Sequence, residues 1–440
     1  MIVRKGLVTM AAAVLAIGSY AWADNSSQPV SQVTVSPMTL DVTPAPAMPA
    51  PAAPASNEQP LAQMMDSAGI KLPFVIQGYV EAGYMYDTNA PRIAEGTTFN
   101  GFEGYKNRFI LDQADLQILR TPVASGKNFD WGFMLEGGYG SDYTFVHSNG
   151  MMDNRAGGPP QNQSDIDQAY LSFNIPAMNG IILNAGKFVT PLGYETINPT
   201  TNPLYSHSYA FLYAIPFTQT GITAKTALNS QWTAMAGITR GWDQSLKDSN
   251  GDPDFIGQVV FTPNSTWSFT GNLSEGPQAP HGVGRGVQAL KGDDSHWWTV
   301  IDLDASYTMS DQLSFGAGAD YGDAPRSKPH FGPTSNAAAQ WYGITGYAKY
   351  VLIKDTLTAN GRLEWYDDTD GFTLAGVHAS VYSATVGVTY VPVPGDKYLK
   401  WLEIRPEIRY DYATKPIFDT GEGPGQHGQL NLAADVIMQY

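Results

Sequence analysis

Four side-chain oxygens recur at alternate positions in Asp248-x-Asn250-Gly251-Asp252-x-Asp254. Oxygens spaced this way around a glycine turn can wrap a hard cation such as Ca2+. The bidentate Glu that closes an EF-hand loop is missing, so a solvated acidic turn is favoured and a calcium loop is the alternative. The His residues (His147, His207, His281, His296, His330, His378 and His427) show no His-x-x-x-His or related ligand spacing. His207 and Ser208 are chain neighbours whose side chains diverge, which argues against a nucleophile and base pair. Gly282-x-Gly284-x-Gly286 has neither dinucleotide-loop spacing nor a helix to follow it. Without Cys there is no thiolate zinc site, Cys nucleophile or disulfide. No catalytic set emerges, and an enzyme is not expected.

A second group of charged residues is spaced by two. From Leu402 to Tyr412 one face carries Leu402, Ile404, Pro406, Ile408, Tyr410 and Tyr412, and the other Glu403, Arg405, Glu407, Arg409 and Asp411. Arg362 and Glu364 alternate with Gly361, Leu363 and Trp365, and Asp302 and Asp304 with Ile301, Leu303 and Ala305. Such faces can either neutralise themselves by cross-strand pairing or set a field across an aqueous lumen.

The elements that must carry these residues are long strands. Period-two alternation runs over 357–365, 402–412 and 297–307, near the length of about 9–11 residues that crosses a bilayer as β-structure. Strands are expected at 74–87, 107–120, 128–140, 164–175, 180–190, 217–228, 231–240, 254–262, 265–275, 296–308, 311–322, 339–351, 355–366, 379–391, 399–412 and 429–440. Connections after even-numbered strands are short and those after odd-numbered strands are long. The fold expected is an all-β transmembrane antiparallel up-and-down barrel of about sixteen strands.

Composition agrees with that architecture. Charged residues are 15%, aromatics 12%, and mean hydropathy is -0.22. Alternation hides a lipid-facing band from any average, because every second residue faces water. Tyr84, Tyr86, Trp131, Tyr139, Trp232, Trp267, Trp365 and Tyr410 fall near strand ends, where interfacial girdles sit. Asp112 and Lys187 land on the apolar parity, which predicts a bulge or a shifted boundary. Inward acids (Glu81, Asp115, Glu136, Asp302, Asp304, Asp320, Glu364, Glu403, Glu407, Asp435) outnumber inward bases (Lys225, Lys349, Arg362, Arg405, Arg409), which predicts a weak cation preference. A net charge of -16 argues against nucleic acid as a partner.

Ahead of the barrel, Arg4 and Lys5, the apolar run Leu7–Tyr20 and Ala21-Trp22-Ala23 read as a secretory signal over 1–23. Residues 24–72, rich in Pro and Ala, are expected to be a flexible periplasmic tether, with room for a short helix between Leu61 and Ile70. The barrel domain is then 73–440, at the bacterial outer membrane.

Gly78-Tyr79-Val80-Glu81-Ala82-Gly83-Tyr84, Asp167-Gln168-Ala169-Tyr170-Leu171, Gly186-Lys187-Phe188-Val189-Thr190-Pro191-Leu192-Gly193-Tyr194-Glu195 and Tyr205-Ser206-His207-Ser208 resemble stretches of the putative β-barrel porin-2 (OmpL-like) family. The resemblance covers about residues 73–440 and implies an outer-membrane diffusion channel for ions and small hydrophilic solutes, with no catalytic residue to carry over. The alternative is a plugged structural or adhesin-type barrel. The loop Pro191–Pro216, third of the long ones, is too aromatic to lie exposed. It is expected to fold into the lumen as in other sixteen-stranded porins, with packing on neighbouring outer loops as the alternative. Tyr194, Glu195, Asn198, Asn202, Tyr205 and His207 would then line a constriction. Facing them would be a pore wall of Lys225, Asp302, Asp304, Arg362, Glu364, Glu403, Arg405, Glu407 and Arg409. Expected partners are outer-membrane lipid and lipopolysaccharide, small polar solutes or ions, further copies of the chain in a homotrimer, and the barrel-assembly machinery. The last would act through Leu430-x-Leu432-x-Ala434-x-Val436-x-Met438-x-Tyr440, which ends on an aromatic.

Overall fold

The computed structural model describes residues 59–89, 94–95, 99–153, 161–248, 251–278, 297–324, 338–374, 376–418 and 425–440, all within the unit Ala45–Tyr440. The signal segment 1–23, the tether up to residue 58 and Asn250 lie outside the described residues.

The barrel strands are β1 Val75–Asp87, β2 Phe109–Arg120, β3 Asp130–Gly140, β4 Gln163–Ile175, β5 Ile181–Val189, β6 Thr218–Ala227, β7 Trp232–Thr239 and β8 Asp254–Phe261. They continue as β9 Trp267–Pro277, β10 Trp297–Thr308, β11 Leu313–Ala324, β12 Ala339–Ile353, β13 Leu357–Asp368, β14 Ala379–Tyr390, β15 Leu402–Ala413 and β16 Gly428–Gln439. Each pairs antiparallel with its chain neighbours, and β1 pairs with β16 from Tyr79↔Gln439 to Asp87↔Asn431, which closes the barrel. Closure leaves no unpaired strand edge, as a hydrocarbon environment requires. The connections after even-numbered strands are mostly tight, such as 228–231 and 354–356. The longest of them, 391–401, carries a 3-10 turn at Leu399–Trp401.

Burial is inverted relative to a water-soluble protein. On β13, Leu363 is 69% exposed while its neighbours Arg362 and Glu364 are 2% and 6% exposed. On β16, Leu430, Leu432 and Val436 face out while Gln429, Asn431 and Asp435 are buried. The apolar face is therefore the lipid face, and the polar face lines the lumen. At the short-turn end, Trp232 stacks on Phe261 at 4.2 Å, Phe261 on Phe269 at 6.3 Å, and Trp267 on Tyr307 at 4.3 Å. These rings run around the strand ends as an interfacial girdle.

Of the two residues of aberrant parity, Asp112 sits at a pairing irregularity and Lys187 pairs in register next to one. The register of β1 on β2 jumps from Glu81↔Gln113 to Ala82↔Leu111, so Asp112 is the bulged residue and turns inward, 1% exposed. The register of β3 on β4 jumps from Glu136↔Gln168 to Gly137↔Ile166, which bulges Asp167. Lys187, beside that bulge on β5, donates to the Ile166 carbonyl at 2.5 Å and follows Gly186, whose φ of +142° suits glycine.

Ahead of β1, helix α1 (Pro60–Ser67) has Pro in its first turn, where no N–H is needed. The Gln59 amide preceding it reaches Gln439 on β16 at 3.4 Å.

Candidate functional site

The connection between β5 and β6 runs through the barrel interior. Gly193, with φ of +94°, turns it off the wall, and its N–H donates to Asp302 of β10 at 3.0 Å. Tyr194 then lies flat on the wall, stacked on Tyr347 of β12 at 4.2 Å and 10°. The bare backbone of Gly316 makes room for it: a Cβ there would come within 2.0 Å of the Tyr194 hydroxyl. Further along the loop, Tyr205 sits over Gly83 of β1 in the same way, a Cβ there coming within 2.2 Å, and it donates to Asp112 at 3.2 Å.

Between these points the loop has little regular structure. Asn198 caps the 3-10 turn Pro199–Thr201, and Ser208 caps the short helix α2 (Tyr209–Tyr213) by accepting from Phe211 N. Many of the remaining backbone groups are bonded to wall side chains. Tyr205 N and Ser206 N donate to Glu407 at 2.9 and 3.2 Å, and Ala210 N donates to Glu364 at 2.8 Å. Loop carbonyls face the arginines. Pro199 O and Asn202 O accept from Arg405, each at 2.9 Å, Ser206 O from Arg362 at 2.5 Å, and His207 O from Arg409 at 2.6 Å. The wall charges thus supply the hydrogen bonds that a helix or sheet would supply elsewhere.

Glu195 and Arg362 meet directly at 2.7 Å, with Ser208 N also on the carboxylate at 2.7 Å. Burial pushes the Glu195 carboxyl up, but the Arg362 guanidinium and the Ser208 N–H hold it below its ordinary value. The sequence placed this Glu and this Arg across an aqueous gap. In the structure the gap is closed, because the loop lies against β13 and β15. Self-neutralisation by pairing along and across the strands is realised in part. Arg405 pairs with Asp435 of β16 at 2.5 Å and Glu81 of β1 at 3.1 Å, and Arg409 pairs with Asp411 at 2.8 Å and covers the Tyr209 ring at 4.9 Å. Glu403 is half-buried at the start of β15, opposite Ile437.

Asn202 donates to Thr196 O and lies 3.0 Å from Nε2 of His207, whose Nδ1 is 3.3 Å from Glu103 in the first long loop. Sequence reasoning missed Glu103, since nothing in a loop marks its partner. It also missed Tyr347 and Trp341, which parity does mark as inward. The Trp341 indole donates to Ala214 O at 3.0 Å. On the outer side, Phe102 packs edge-on to Phe211 at 5.8 Å, and Trp242, Trp298, Trp341 and Phe372 belong to the same buried cluster.

The second face of the loop, from Pro191 to Thr201, borders a cavity of about 150 Å³. Its other wall is the arc from β2 to β10, including Gln117, Glu136, Asp167, Lys225, Gln258, Thr270 and Asp304. Among the described residues Lys225 is the single Lys or Arg side chain on this lining, and the three arginines face the docked side of the loop.

The acidic turn beyond β7 does not gather its carboxylates. Asp248 accepts from Gly251 N at 2.9 Å and lies 3.7 Å from Arg240, while Asp254 is buried in the lumen wall against Gln278. Asn250 is outside the described residues, and no three His, Asp or Glu side chains among the described residues form a metal-ligating group.

A closed sixteen-stranded barrel with polar lumen, apolar outer band and an inserted third loop defines an outer-membrane porin-type channel protein. The family model described as "putative beta-barrel porin-2, OmpL-like" matches residues 73–440, and the chain belongs to that family. Among solved structures, the outer-membrane channel DcaP of Acinetobacter baumannii is similar at TM-score 0.52 and 13% identity, over 83% of this chain and 97% of that one. The anion-selective porin of Comamonas acidovorans is similar at 0.54 and 11%, over 83% and 99%. Salmonella typhi OmpF in complex with daunomycin is similar at 0.51 and 13%, over 83% and 97%. At these identities the likeness is one of fold. No curated protein matches the sequence. The family and fold are those of non-enzymatic channels of the outer membrane.

Proposed function

We propose that this porin is a passive diffusion channel for ions and small hydrophilic solutes, narrowed by the 191–216 loop. The cavity of about 150 Å³ between the loop and the β2–β10 arc carries the reading, because it leaves space on the lumen wall beside the docked loop. Its lining mixes amides, hydroxyls and carboxylates with Val189, Leu192, Ile197, Phe211, Phe217 and Val260, and the polar groups can carry hydrated solutes past the loop. Swelling of proteoliposomes in graded sugars and amino acids tests it. Entry should fall with solute size, and deletion of Tyr194 to Tyr209 should widen the cut-off and raise conductance in planar bilayers.

A second reading, a plugged structural or adhesin-type barrel, draws on the buried aromatic cluster around Phe102, Phe211 and Trp341 on the outer side of the loop. A wild-type barrel that neither swells liposomes nor carries current would decide for it. Export by the 1–23 signal, insertion through the C-terminal strand and assembly as a homotrimer accompany the channel reading as proposals.

A further inference from the structure

Of the inward strand cations Lys225, Lys349, Arg362, Arg405 and Arg409, one has no anionic neighbour among the described residues. Arg362 pairs with Glu195, Arg405 with Asp435 and Glu81, and Arg409 with Asp411. Lys349 stands near enough to Glu403 to act on its carboxyl. Lys225 is half-buried on β6, and no charged side chain acts on its ammonium. The register explains why. Lys225 lies directly opposite Ile182 of β5 and Met235 of β7, neither of which carries a side-chain oxygen. Thr233, its diagonal neighbour on β7, stands opposite Val260 of β8. A partly buried ammonium without a partner is costly, and its donors remain available to a solute.

Lys225 lines the cavity of about 150 Å³ beside the docked loop. A water takes about 30 Å³ of liquid volume, so the space suits a solute of a few heavy atoms. The carboxyls on the same lining are engaged elsewhere. Glu136 accepts from the Gln117 amide at 2.7 Å and from the Gln168 amide, Asp167 is bonded to Tyr143, and Asp304 is bonded to Asp302. Around Lys225 the register instead gathers apolar side chains, Ile182 and Met235 beside it and Val260 one strand further, with the Thr233 hydroxyl among them. An ammonium is a compact point charge with three donors, which suits a carboxylate. Methylene groups gain by leaving water for an apolar surface. A small anion with a short hydrocarbon body meets both conditions.

We infer that Lys225 seats the carboxylate of a short-chain aliphatic acid in transit, with the hydrocarbon part of that acid against Met235 and Val260. The inference rests on the diffusion-channel reading and names a class of solute that the channel holds on its way.

The test is the KCl current of the full-length protein in planar bilayers at neutral pH, with butyrate added. Butyrate seated at Lys225 occupies the path beside the loop, so the current should fall and the fall should saturate with concentration. Butyramide, of the same shape without the charge, should leave the current unchanged. Acetate, shorter by two methylenes, should need about tenfold more than butyrate. Lys225→Met should raise the half-saturating butyrate concentration about tenfold or more, the low end of what a charged wall concentrates. The ammonium has no partner to strand, so this variant should melt as the wild type does. Lys354→Met, the same charge change in an exposed periplasmic turn, should respond to butyrate as the wild type does. Should Lys225→Met fail to fold, butyrate against butyramide on the wild type gives an independent answer. A wild-type current that butyrate leaves unaltered, butyramide as effective as butyrate, or an undiminished butyrate effect in Lys225→Met overturns the inference while leaving the channel reading intact. Acetate acting at the same concentration as butyrate overturns the assignment to aliphatic acids. A wild-type barrel that carries no current overturns the channel reading, and this inference with it.

Discussion

Replacing Arg362 by Met should release the loop from the wall. Arg362 is 2% exposed and donates to Glu195 at 2.7 Å, to the Ser206 carbonyl at 2.5 Å and to the Ser206 hydroxyl at 3.2 Å. Methionine fills much of the same volume but donates nothing, so Glu195 is left as a buried anion with Ser208 N as its remaining hydrogen-bond donor and His207 nearby. Breaking a buried ion pair from one side costs about 3–5 kcal/mol. Every 1.4 kcal/mol is about tenfold in population, so the docked loop would lose about a hundredfold or more of its advantage over undocked forms. Arg405, Arg409, Glu407 and Glu364 would still hold parts of it. Single-channel records should show larger or flickering conductance, with a lower melting temperature. Adding Glu195→Gln removes the stranded charge, so the double variant should recover part of the loss, with a coupling of about 2–3 kcal/mol. Wild-type conductance and melting in Arg362→Met, or a double variant as impaired as the sum of the singles, would refute the reasoning.

Further outcomes follow from other contacts. Gly316→Val should push Tyr194 off its seat at a cost of about 1–3 kcal/mol, the range for overpacking, and alter conductance. Gly346→Ala, at a glycine with open space around its Cβ position, is the tolerant comparison and should leave both conductance and melting near wild type. Tyr205→Phe removes the donor to buried Asp112 and should lower stability by about 1–3 kcal/mol in thermal unfolding. Asp243, in the loop after β7, accepts from Phe217 N and Thr218 N, and burial pushes its carboxyl up to about 6. Its folded pKa is raised, so stability falls as pH rises from the ordinary carboxylate value towards 6, and the difference in melting temperature between wild type and Asp243→Asn should change across that window. Ca2+ should leave the melting temperature unmoved; a shift abolished by Asp252→Ala would establish a calcium loop instead.

The strands were legible because lipid and water impose opposite demands on alternate residues. Leu363 between Arg362 and Glu364 carries that signal in three letters, and Asp112 betrayed its bulge by breaking the rule. The inward path of the 191–216 loop was legible from its aromatics, which no outer surface would expose. The pairings were not. Parity says that Arg405 faces inward, but its partners lie on β16, on β1 and in the loop, and only register and loop path select them. The expectation of an open Glu–Arg gap failed for that reason: the sequence counts charges on each face, and the distance between faces belongs to the fold. Asp411, two residues from Arg409 on the same face, was the one partner within local reach.

The guanidinium of Arg405 also bears on assembly. It joins β15 to Asp435 on β16 and to Glu81 on β1, across 324 residues of chain, and carries the loop carbonyls of Pro199 and Asn202 on its remaining donors. Those ligands converge only once the first and last strands have met. A barrel still open at that seam offers the third loop half of its seat, so the loop can dock fully only after the seam has closed. A nascent barrel would be wide before it is sealed, and a mature one could not reopen its seam without first giving up its loop.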